Sequence, residues 1–94
     1  MRAVRPGRIL RRELEARKLS ANALALALRT PSGRITDIRN GKRAVTPETA
    51  MRLGRYFGQS PRFWLNLQSM HDLATAEARI GDMLDAEVIP AKVG

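Results

Sequence analysis

Ninety-four residues, 44% of them hydrophobic, are enough for one small domain with a modest core and too few for two that fold independently. The formal charge of +8 is uneven: residues 1–69 hold 15 of the 17 basic and four of the nine acidic side chains, leaving two and five to residues 70–94. The absence of cysteine excludes a disulfide framework and a thiolate metal site. The elements read as five helices, with no alternating strand pattern anywhere. Pro6 opens the first, over about residues 6–17, with Leu10 and Leu14 one turn apart and Arg17 and Lys18 at the negative end of the dipole. Ser20 caps the second, and Leu19 and Leu24 have the spacing of a hydrophobic staple; this helix runs to about Leu28. The third spans about residues 31–39, with Thr30 as its expected cap, Ile35 and Ile38 on one buried stripe, and Asn40-Gly41 as its left-handed stop. Thr46, Pro47 and Glu48 start the fourth, whose stripe is Ala50, Leu53 and Phe57 before Gly58. Ser60-Pro61 starts the fifth, with the stripe Phe63, Leu67, Met70 and Ala74, longer than one small core can cover.

Arg29 and Thr30 alone separate the second and third helices, so the two must cross steeply and share a core, which is the geometry of a helix-turn-helix. In that arrangement Leu24, Ala25 and Leu28 meet Ile35 and Ile38, and the small Ala25 lets the axes approach. The opposite face of the third helix carries Ser32, Gly33, Thr36, Asp37 and Asn40, all short side chains. A major groove about 12 Å wide just admits a helix with such groups. Ser32, Gly33, Thr36 and Asp37 are the candidates for reading bases. Arg34 on one flank, Asn40 at the helix end, and Lys42 and Arg43 just beyond it are the candidates for phosphate. Asp37 reads equally as a solvent-facing residue and as an acceptor from cytosine N4. A strongly cationic surface on a small domain points to an anionic polymer as partner, double-stranded DNA before membrane or acidic protein.

Other functions find little support. His71 is the single histidine, and no second His, Cys or carboxylate cluster stands at metal-ligand spacing, so no metal and no cofactor is expected. One His, one Tyr and no sheet on which to hold acid and base groups disfavour an enzyme. The longest uncharged run, Leu19 to Leu28, is far short of the roughly 18 residues a membrane span needs, and the charged N-terminus has no apolar signal core. The expectation is a cytoplasmic protein.

One resemblance is specific. The run Ile35-Thr36-Asp37-Ile38-Arg39-Asn40-Gly41-Lys42-Arg43 is followed by Thr46-x-x-Thr49-Ala50-x-x-Leu53-x-x-Tyr56-Phe57-Gly58 and by Ser60-Pro61-x-Phe63-Trp64-Leu65-Asn66-Leu67-Gln68. Together these resemble the HigA-type antitoxins, XRE-like helix-turn-helix proteins, over residues 6–78. The Phe-Trp-Leu-Asn-Leu-Gln run discriminates more sharply than the helix-turn-helix itself. The acidic charge towards the C-terminus marks 79–94 as a short acidic tail. The resemblance implies a compact, all-α, five-helix domain of the lambda-repressor-like kind, taken as residues 1–78. It also implies a homodimer that represses its own operon and neutralises a RelE-like ribonuclease toxin; a stand-alone phage-like repressor is the alternative. Two positions depart from the family pattern. Arg29 stands in the turn where such proteins usually have Gly, and Gly33 stands where a longer polar side chain is common.

A two-fold operator requires a two-fold protein, and the surplus apolar stripe nominates Phe63, Trp64, Leu67 and Met70 for the dimer interface. Leu26 is out of phase with the Leu24 and Leu28 stripe and, with the acidic Asp82, Asp85 and Glu87, is a candidate toxin contact. For the tail itself, a continued helix, an added strand and a segment that folds on binding all remain open. Gly81 and Pro90 argue against a long regular element.

Overall fold

The computed structural model describes residues 4–92, which form α1 (Pro6–Ala16), α2 (Ala21–Leu28), α3 (Ser32–Arg39), α4 (Pro47–Phe57) and α5 (Pro61–Glu87), with no strand among them. Local chemistry sets the starts. Pro6, Pro47 and Pro61 occupy first turns, where a missing N–H costs nothing. Ser20, Thr46 and Ser60 accept from the backbone N–H groups of Ala23 (3.0 Å), Thr49 (3.3 Å) and Arg62 (3.2 Å).

The first four helices end in the same way. Lys18, Arg29, Gly41 and Gly58 take positive φ values of 53°, 60°, 77° and 72°. In each case the next N–H turns back five residues: Leu19 to Leu14 O (2.9 Å), Thr30 to Ala25 O (3.0 Å), Lys42 to Asp37 O (2.7 Å) and Gln59 to Gly54 O (2.8 Å). These bonds satisfy carbonyls that would otherwise be orphaned. At Arg29 the conformation costs about 1 kcal/mol relative to Gly. A long-range bond offsets part of it, since Arg52 Nη1 donates to Leu28 O at 2.8 Å. The turn also corrects the expected cap of α3. Thr30 belongs to the C-terminal cap of α2, its Oγ1 is buried without a partner, and Pro31 precedes α3 with no side-chain cap.

The core joins all five helices: Leu10 and Leu14 of α1, Leu24, Ala25 and Leu28 of α2, Ile35 and Ile38 of α3, Ala50, Leu53 and Phe57 of α4, and Trp64 of α5, with Val45 from the α3–α4 loop. The expected packing of α2 on α3 is therefore observed. Behind α3, α1 approaches so closely that a Cβ on Gly7 would collide with the Ile38 carbonyl and stand 2.7 Å from that of Arg39. α3 is thus backed by α2 on one side and by α1 on another.

Two expectations for α5 need correction. Trp64 was a candidate for the dimer interface, yet it is 0% exposed, its Nε1 donating to Gln59 Oε1 at 2.8 Å and its ring 6.2 Å from that of Phe57. A side chain wholly enclosed by its own chain has no surface left for a partner. Phe63, one residue and 100° away on the helix, is 40% exposed instead. Leu67 packs half-buried against the core, and Met70 is 51% exposed. The second correction concerns Gly81 as an argument against a long regular element: residues 79–87 continue α5 without a break at residue 78 or at Gly81, which is the continued helix among the three conformations open for the tail. A glycine costs a helix up to about 1 kcal/mol. Here good helix formers on both sides, Ala78-Arg79 before it and Met83-Leu84 after it, carry the helix through.

Candidate nucleic-acid interface

Because Ile35 and Ile38 are buried, the remaining faces of α3 are determined. Ser32, Gly33 and Asn40 are exposed; Arg34, Thr36 and Asp37 are half-buried. A Cβ on Gly33 would meet nothing within 4 Å, so the backbone here lies open to whatever approaches. The exposed positions of this face are small and polar, and the cationic Lys42 and Arg43 follow at its C-terminal end. Arg43 Nε lies 3.9 Å from Asp37 Oδ2, a loose, exposed pair worth little in stability. It nevertheless brings together one expected base reader and one expected phosphate contact. Lys42 is exposed, and its N–H completes the cap of α3. Asn40 is the C-cap residue, with Oδ1 3.4 Å from Arg39 Nε.

Two residues escape the sequence reading. The guanidinium of Arg5, just before α1, lies against Gly41 and adds a third cation to Lys42 and Arg43. Gln68 of α5 accepts from Val45 N–H in the loop at 2.8 Å. Arg5, Lys42, Arg43 and Gln68 line a cleft of about 200 Å³ that also includes His71 and Asp72. No spacing rule announces Arg5, which is distant in sequence from α3; Gln68 stood within the quoted Phe-Trp-Leu-Asn-Leu-Gln run but without an assigned role. Leu26 is 69% exposed, as its phase requires, and Asp82, Asp85 and Glu87 are exposed on the far end of α5.

Comparison with known proteins places the fold in a family. Residues 10–64 match the helix-turn-helix family model. The chain superposes with a TM-score of 0.92 on an addiction module antidote protein of the HigA family from Coxiella burnetii, with 46% identity, covering 97% of this chain and 100% of that one. The chain belongs to the HigA family. Another HigA structure, the Pseudomonas aeruginosa antitoxin with the higBA promoter, shares 42% identity at a TM-score of 0.92, over 97% of this chain and 100% of that one. Virulence-associated protein I of Dichelobacter nodosus is 49% identical over 78 residues, 82% of this chain and 72% of that protein. The full-length superposition on HigA structures includes the long α5. The five-helix, all-α architecture expected from the sequence is therefore that of HigA antitoxins. Among the described residues, no helix is long and apolar enough to cross a membrane.

Proposed function

We propose that this HigA-family chain acts in the cytoplasm as the antitoxin of a toxin–antitoxin pair, binding operator DNA of its own operon as a dimer and neutralising a RelE-like ribonuclease. The observation that carries the DNA half is the construction of α3: two buried isoleucines fix its orientation, and the exposed face is lined by small polar groups and rimmed by Arg5, Arg34, Lys42 and Arg43. Such a helix enters a major groove, where short side chains and an open backbone at Gly33 reach base edges while the rim meets phosphate. That the Pseudomonas aeruginosa HigA structure contains the higBA promoter supports the binding of operator DNA.

The test is affinity for the duplex immediately upstream of the coding sequence, measured across salt. Neutralising several phosphates makes the logarithm of the affinity fall steeply with that of the salt concentration. Lys42→Ala with Arg43→Ala is expected to weaken all sequences alike by about tenfold and to reduce the slope by about 2. Changes at Ser32, Thr36 or Asp37 alter preference among sites instead. A flat salt response of the unmodified chain overturns the reading.

For the dimer, α5 offers more than the four residues first nominated. Met70, Leu73, Ile80 and Leu84, all exposed, follow a heptad-like spacing with Glu77 between them. A stripe of this kind covers itself when two copies lie together on a two-fold axis. Leu73→Asp changes a residue 66% exposed in the single chain, so the fold is expected to survive while light scattering falls to the 10.5 kDa monomer. A monomer in the unmodified protein at tens of micromolar contradicts this role.

The toxin half predicts a stable complex with a basic protein encoded beside this gene. Charge favours the acidic end of α5 as its contact, since the groove that begins beside Leu26, at Ala27, is lined by Arg29, Arg52 and Arg55. Co-purification is expected to weaken on neutralising Asp82, Asp85 and Glu87 together, and less on Leu26→Glu. If the unmodified chain forms no complex, the protein is a stand-alone repressor.

A further inference from the structure

The loop between α3 and α4 carries Lys42 and Arg43 and is held at both ends by helix geometry. Lys42 N–H donates to Asp37 O at one end, and Thr46 O accepts from Ala50 N–H at the other. Between them, the backbone of residues 43–45 makes one hydrogen bond among those described: Val45 N–H to Gln68 Oε1, 2.8 Å. Gln68 comes from α5, 23 positions along the chain. Donor chemistry dictates its orientation. A backbone N–H can only donate, so the amide oxygen must face Val45; the amide NH2 then points to Asp72 Oδ1 at 2.9 Å, an oxygen that accepts. Val45 is buried at 3% exposure and Gln68 is half-buried, so the pin joins two packed elements rather than two mobile ones. Leaving that N–H unpaired in a part-buried site would be costly, which gives the pin a defined strength.

We infer that Gln68 is a positioning residue for the DNA-contacting loop, oriented in turn by Asp72, so that α5 sets where Lys42 and Arg43 stand relative to the phosphate backbone. The inference rests on the DNA-binding function proposed above and adds a determinant of affinity on a helix with another task. Lys42, Arg43, Gln68 and Asp72 all line the same cleft, which is what a short mechanical link requires.

Gln68→Met keeps the size of the side chain and removes both hydrogen-bonding functions. Binding of the labelled upstream duplex is expected to weaken about five- to tenfold, and the salt slope to fall by about 1 to 2. In a Lys42→Ala/Arg43→Ala background the same change should cost less than about twofold, because the groups it positions are gone. By NMR, the Val45 amide should exchange faster while the amides of Leu10 and Leu53 keep their protection. The double variant Gln68→Glu/Asp72→Asn keeps an acceptor for Val45 and supplies the amide donor from the other side, and should recover affinity. Equal losses in both backgrounds, or no loss in either, overturn the inference and reduce Gln68 to a structural residue. Salt-insensitive binding by the unmodified chain is a different failure, that of the DNA reading; the amide-exchange measurement needs no DNA and still decides whether Gln68 holds the loop.

Discussion

Trp64→Ala is expected to destabilise the domain by about 3–5 kcal/mol, a loss comparable with the whole stability of a small domain. The indole is enclosed where α4 meets α5, its edge-on contact with Phe63 has a centroid distance of 5.4 Å, and removal also strands Gln59 Oε1. Urea unfolding followed by far-UV circular dichroism measures it. The same substitution at Phe63, 40% exposed, should shift the midpoint far less. If the two adjacent aromatics proved equally important to the monomer, the assignment of core and surface faces on α5 would be wrong.

Gly7→Val is expected to be the most damaging change behind α3, costing about 3 kcal/mol, because the branched side chain must enter the space of the Ile38 and Arg39 carbonyls. Backbone atoms cannot rotate aside as a flexible side chain can. Gly7→Ala makes the sign decisive. Helix propensity alone predicts a gain of about 1 kcal/mol for alanine inside α1, whereas the close approach predicts a loss. A higher midpoint for Gly7→Ala in urea would show that α1 and α3 are not in contact there. A lower one, with weakened duplex binding, would show that α1 fixes the position of α3.

The parts of this protein that were legible in its sequence depend on neighbours within a turn or two. Ser20, Thr46 and Ser60 cap helices because a side-chain oxygen reaches an N–H two or three residues ahead. Gly41 ends α3 because a positive φ suits a residue without a Cβ. The buried pair Ile35 and Ile38 follows from helical period, and with it the exposed face that carries Ser32 and Gly33. Thr30 shows where local reading fails: as a cap for α3 it is reasonable, but Arg29 took the left-handed position and committed Thr30 N–H to Ala25 O.

The composition and spacing of the residues by themselves determined five helices, a helix-turn-helix and a polar exposed face of α3 in a cationic domain, since these arise from short-range dihedral preferences, periodicity and summed charge. The tertiary structure alone decided which of Phe63 and Trp64 enters the core, because both lie on one helix and only the placement of α4 distinguishes faces 100° apart. It also decided that α5 continues through Gly81 to Glu87, where apolar and polar residues suited more than one conformation. Arg5 reached Gly41, and Gln68 reached Val45, only through the packing of α1, α3 and α5. A hydrogen bond spanning 23 positions has no period and no local motif; it exists because a shared core brings the α3–α4 loop and α5 to 2.8 Å between Val45 N and Gln68 Oε1.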